Sequence, residues 1–199
     1  AAGVEVDGRG HALEHAGMAA AAVAHTSARI ADAADTLARG VIAFANAKAA
    51  ALGVSPGMPC REAVGRLAAA SMPTGELPAQ RESRMVFAPA TASSASIIGL
   101  DSIGALHGGD PASALPVDAA GAVFHDAGIG CDWAGVSRLP VLDARGVSAA
   151  TVDYRSARIG DARSMWATGT LSRVNRAAAR RGLRIGMRVD EAAAMLASG

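Results

Sequence analysis

The residues best suited to chemistry fall in three segments of the chain. Leu106-His107-Gly108-Gly109-Asp110 sets an imidazole beside two glycines. His125-Asp126-Ala127-Gly128-Ile129-Gly130-Cys131-Asp132 sets a second imidazole beside a carboxylate and a glycine turn. Asp153-Tyr154-Arg155-Ser156-Ala157-Arg158-Ile159-Gly160-Asp161 carries two guanidiniums among acids. In an enzyme, His125 or Asp126 would act as base, and His107 as acid or as a donor to an oxyanion, aided by the N–H groups of Gly108 and Gly109. Arg158 would grip a carboxylate or phosphate with its planar fork, oriented by Asp161 and assisted by the Ser156 hydroxyl. Gly128 and Gly130 would let the backbone come close to the substrate. This constellation implies proton transfer or hydrolysis on a compact anionic substrate.

Each segment also has a plainer reading. His-Gly-Gly-Asp suits a tight turn, and no Gly-x-Ser-x-Gly elbow accompanies it anywhere in the chain. Asp126 suits a turn cap, and an Arg158–Asp161 pair would pin a loop as well as it would hold a ligand. Gly128-Ile129-Gly130 supplies two glycines of a dinucleotide fingerprint, but Trp133 stands where the third belongs. The histidines with Asp126 and Asp132 have the donor types of a metal site without its spacing, so no metal and no cofactor is expected. The alternative function is therefore a non-catalytic domain that binds a small ligand or builds a homo-oligomer.

Composition removes other classes. The 199 residues carry a formal net charge of +1, with 51% hydrophobic and 3% aromatic residues. Lys48 is the only lysine, which leaves no Walker loop and no buried Schiff-base lysine. So few aromatics provide no stacking platform, and no nucleic-acid partner is expected. Arg173, Arg176, Arg180 and Arg184 read as a positive stripe along one helix, more suited to solvent than to a phosphate backbone. No apolar run is long enough to span a bilayer. Cys60 and Cys131 form no recognisable framework, so a soluble cytoplasmic protein is expected.

The elements that position these residues come from a repeat. Residues 27–67 align without a gap on residues 156–196 at a constant offset of 129, and seventeen of the forty-one positions are identical. Ser27-Ala28-Arg29-Ile30-Ala31-Asp32 stands over Ser156-Ala157-Arg158-Ile159-Gly160-Asp161, and Gly40, Asn46, Gly53 and Gly57 over Gly169, Asn175, Gly182 and Gly186. The reading is an internal duplication, with residues 1–72 as a first copy lacking its N-terminal strands and 73–199 as a second, fuller one. The opening at Ala1, without Met or a leader pattern, fits a chain that begins inside a repeat unit. Its face near Ala1 to Val6 is expected to be covered by the second copy or by a partner chain.

In the second copy, strands are expected at 85–88, 96–100, 120–124 and 147–152, with helices at 171–181 and 189–196, and a weaker one within 133–144 that holds Pro140. The first copy is expected to follow with a strand at 18–24 and helices at 36–52 and 60–70. Residues 71–84 read as a linker and 90–96 as a loop. Alternating strands and helices imply an α/β fold with a mostly parallel sheet and flanking helices, its ligand site beyond the carboxyl ends of the strands.

Overall fold

Polar residues at the ends of short elements set the architecture. Asp32 and Asp161, in extended backbone, accept N–H groups from the first turns of helices that follow at once. Gly40 and Gly169 end those helices; a side chain at either would run into a carbonyl of the last turn, Thr36 O or Met165 O. Asn46 and Asn175 then cap a second pair of helices, their Oδ1 atoms accepting from Ala49 N and Ala178 N.

The computed structural model describes residues 9–76, 84–88, 96–100, 115 and 119–198. In order they form α1 (Arg9–His15), β1 (Ala21–Val23), α2 (Ala33–Arg39), β2 (Ile42–Ala45), α3 (Ala47–Ala51), α4 (Cys60–Leu67), β3 (Arg84–Ala88), β4 (Ser96–Leu100) and β5 (Ala119–His125). A 3-10 turn at Cys131–Val136, α5 (Leu139–Ala144), β6 (Ser148–Val152), α6 (Ala162–Thr168), β7 (Leu171–Val174), α7 (Arg176–Arg180) and α8 (Val189–Ala197) follow. The chain divides into two units, Ala1–Gln80 with Gly130–Asp132, and Arg81–Ile129 with Trp133–Gly199.

The second unit is an α/β layer built on a five-stranded sheet of order β3-β4-β5-β6-β7. Strands β4 and β6 are buried along their whole length, as central strands covered on both faces should be. Ile97, Val123, Ala150 and Val152 on one face meet Ala162 and Met165 of α6, Ala178 of α7, and Val189, Ala193 and Leu196 of α8. Helix α5 packs on β6, with Leu142 fully buried and Pro140 in the first turn, where its missing N–H costs nothing. The first unit is smaller: β1 and β2 pair antiparallel, and Ile42, Ala49, Val54 and Ala63 form its core.

Three expectations need correction. The sheet is mixed rather than mostly parallel: β4-β5 and β5-β6 run parallel, β3-β4 and β6-β7 antiparallel. The cause at β7 is local. Asp153 N donates to Thr170 O, and Thr170 N to Ser156 Oγ, both at 2.9 Å, so the connection after β6 closes on itself at that strand's carboxyl end. Strand β7 must then start there and run back. Second, residues 171–181 are not one helix but β7 followed by the five-residue α7. Asn175 stands between them at φ −82°, ψ 172°, a conformation that caps a helix and cannot continue one. Third, Asn46 splits the expected 36–52 helix in the same way, with β2 before it and α3 after. The arginine stripe consequently does not lie on one helix: Arg173 is in β7, Arg176 and Arg180 in α7, and Arg184 beyond it.

From α2 through α4, the first unit carries the same elements in the same order as α6 through α8 of the second, at the offset of 129. Shared side chains make the same bonds in both. Asn46 and Asn175 each hold three backbone groups, Ala20 N, Ala49 N and Met18 O in one case and Ala149 N, Ala178 N and Val147 O in the other. Ser27 and Ser156 each donate to the carbonyl three residues back and accept from the N–H of Val41 or Thr170.

Candidate functional site

The second unit has a cleft of about 330 Å³ beyond the carboxyl ends of β5 and β6, lined by the residues that follow those strands and by the start of β7. Its chemistry comes from Asp126, Asp153, Arg155 and Arg173, with Tyr154 and Ser172 between them. The antiparallel course of β7 is what brings Arg173 to this edge.

Asp126 is the most deeply placed charge, its side chain 3% exposed. Oδ1 accepts from Gly128 N at 2.8 Å and from Tyr154 N at 3.1 Å, which ties the loop after β5 to the loop after β6. Oδ2 accepts no hydrogen bond among the described residues. The turn that holds this carboxylate is unusual. Ala127, Gly128, Ile129 and Gly130 all take positive φ, at 48°, 80°, 65° and 73°. For Ala127 and Ile129 this costs about 1 to 2 kcal/mol each. Bonds from Ile129 N to Asp126 O and from Gly135 N to Ile129 O, both 2.7 Å, hold the turn in place. Gly135 packs so closely on the Asp126 carbonyl that a side chain there would displace the turn.

The other charges are arranged in opposite ways. Arg155 is bound to Asp153 through Nε at 3.1 Å and Nη2 at 2.7 Å, so the two cancel. The Arg155 guanidinium, donating to Asp153, holds that carboxyl below its ordinary range. A group with a depressed folded pKa contributes stability above its unfolded value, near pH 4, and loses it as pH falls through the folded value. Arg155→Gln should therefore reduce stability at neutral pH and make no difference in strong acid, as measured by urea unfolding across pH 2 to 7. Arg173 donates from Nη1 to Ser172 O at 2.6 Å and lies 5.8 Å from the centre of the Trp133 ring, but meets no carboxylate among the described residues.

The residues singled out in the sequence are placed as follows. Asp126 and Gly128 line the cleft. His125 is fully buried under it, with Nδ1 accepting from Ala127 N at 3.0 Å and Nε2 3.1 Å from Ala157 O. That pattern specifies the tautomer protonated on Nε2 and commits both nitrogens to backbone groups. Ser156 serves the loop closure described above. Asp161 caps α6, accepting from Arg163 N and Ser164 N, and does not orient Arg158. Arg158 is exposed, does not line the cleft, and has no ion-pair partner among the described residues. Gly130 does not line the cleft and groups with the first unit, packed against His25 O and Ile30. His107, Gly108 and Gly109 lie outside the described residues, as do the face at 1–6, part of the 71–84 linker and most of the 90–96 loop. Among the described residues, no group of three or more His, Cys, Asp or Glu side chains could hold a metal ion. None of their helices is long and apolar enough to cross a membrane.

Within the first unit, Arg29, the counterpart of Arg158, does meet a carboxylate: Asp132 accepts from Arg29 Nε at 3.0 Å and from Arg39 Nη2 at 2.8 Å. Arg39 also donates to Asp35, and this bonding holds both carboxyls below their ordinary range.

Sequence reasoning passed over Arg173 and Arg155 as site residues, although a signal for them was present. At the offset of 129, the hinge residues Ser, Asp, Gly and Asn are the same in both segments, whereas the cleft charges are not. Ala24, Thr26 and Phe44 stand at the positions of Asp153, Arg155 and Arg173. The charged side chains after β6 and in β7 that line the cleft therefore belong to the second segment alone. Comparison with protein-family models, with curated proteins and with solved structures finds no match to this chain.

Proposed function

We propose that the second unit binds a compact anionic small molecule in the cleft between Asp126 and Arg173. The observation that carries this reading is Arg173, a guanidinium that lines a cleft and has no carboxylate partner among the described residues, at a position where the first unit has Phe44. Its Nη1 is bound to Ser172 O, which leaves Nε and Nη2 as donors for a ligand oxygen. The same comparison supports reading the chain as an internal duplication whose second copy alone acquired the charges.

Proton transfer is the catalytic version of this proposal. It would use Asp126, whose Oδ2 accepts nothing from the described residues, because His125 has both nitrogens engaged. Binding without catalysis needs fewer residues, and the cleft supports it more directly.

The test is calorimetric titration of the full chain with inorganic phosphate and with propionate. Saturable binding that depends on Arg173 supports the reading, and absence of binding by both probes and by their amino-bearing counterparts such as β-alanine ends it. Arg158→Lys should leave any such binding, and the melting temperature, unchanged within a few degrees, because its guanidinium does not line the cleft and has no ion-pair partner among the described residues. A loss of binding on that substitution would return the site to the loop before α6.

A further inference from the structure

We infer that the ligand of this cleft is a zwitterion, carrying an ammonium group for Asp126 as well as an anionic group for Arg173. The inference rests on the binding reading above and goes beyond it by naming the second half of the ligand.

The argument is one of charge and hydrogen-bond balance. Among the described residues, four ionisable side chains of fixed sign line the cleft, and two of them, Asp153 and Arg155, neutralise each other through two hydrogen bonds. One carboxylate and one guanidinium are left over. Asp126 is almost wholly buried, and its two hydrogen bonds both come from uncharged backbone N–H groups and both end on Oδ1. A carboxylate taken out of water is costly unless it meets an opposite charge and fills its acceptor sites. His125 stands 4.0 Å away, but its Nδ1 accepts from Ala127 N, so it brings no proton to that side. The unfilled acceptor, Oδ2, belongs to a residue lining the cleft. A ligand with only an anionic group would satisfy Arg173 and be repelled by Asp126. A zwitterion would satisfy both and leave the occupied cleft neutral.

The experiment compares matched pairs on the full-length wild-type chain: glycine against acetate, β-alanine against propionate, and γ-aminobutyrate against butyrate. The series varies the distance between the two charges while each pair differs by one ammonium group. The expected result is that at least one amino compound binds ten-fold or more tightly than its partner. Asp126→Asn keeps an oxygen for Gly128 N and Tyr154 N but turns the free acceptor into an N–H donor. It should abolish that preference while carboxylate binding through Arg173 persists.

The inference is overturned if the plain carboxylates bind as well as the amino compounds, or if Asp126→Asn leaves the ratio unchanged; Arg173-dependent carboxylate binding would then still support the binding reading. Binding of neither series overturns both. The wild-type ratio decides the matter even if the Asn variant fails to fold.

Discussion

Arg173→Gln is expected to weaken binding of propionate or inorganic phosphate to this protein by about ten- to a hundred-fold, the equivalent of the roughly 1.5 to 3 kcal/mol carried by hydrogen bonds to a charged group. The side chain is half-buried in β7, where among the described residues it meets the Ser172 carbonyl and the face of Trp133. Trp133 is 61% exposed, so the lost ring contact amounts to about 0.5 to 1 kcal/mol. In a chain of this size that lowers the melting temperature by about 2 to 4 °C at most. The variant should thus separate binding from folding: calorimetry shows the loss while thermal unfolding stays nearly in place. Unchanged affinity in Arg173→Gln would remove the central support for the proposed function.

Asn175→Ala is expected to have the largest effect on stability. Its carboxamide accepts from Ala178 N at 2.8 Å and from Ala149 N at 3.1 Å, and donates to Val147 O at 2.8 Å. One residue thereby caps α7 and fastens it to the start of β6, whose Ala149 is fully buried. Losing the cap costs about 1 kcal/mol. Leaving the Ala149 N–H and the Val147 carbonyl without partners adds about 1 to 3 kcal/mol for each that water cannot reach. A total near 3 to 5 kcal/mol corresponds to a fall in melting temperature of roughly 6 to 20 °C. Asn175→Asp should recover only part of this: it keeps the acceptor for the two N–H groups and sets an oxygen against Val147 O. Urea unfolding followed by circular dichroism provides the measurement. A loss below 1 kcal/mol in the Ala variant would mean that the α7–β6 junction is held by packing alone.

The contrast between Asn175 and Arg173 shows what the amino-acid sequence by itself determined. Strands β3, β4, β5 and β6 and helices α4 and α8 were legible because each is a short apolar run or an amphipathic stretch bounded by turn residues. The repeated Ser, Asp, Asn and Gly residues were legible as a set because they recur at a constant offset of 129, although the bonds of Asn175 to Ala149 N and Val147 O were not. The direction of β7 was not. It is decided by a closure between residues 153 and 170, a contact that no periodicity records. The division of 171–181 into strand and helix was hidden for the same reason: pairing with β6 outweighs the helical preference of an arginine- and alanine-rich segment.

The site divides along the same line. Asp126 and Gly128 could be chosen from sequence, because a carboxylate and a glycine turn at the end of a buried strand lie at the ligand edge of an α/β sheet. Arg158, chosen because both segments have it, falls outside the cleft, and Asp161 spends its carboxylate on a helix cap. Arg173 was hidden inside an apparent helical stripe. Only the tertiary structure places it in the cleft that Asp126 lines, because β7 runs antiparallel to β6 and so begins at that strand's carboxyl end.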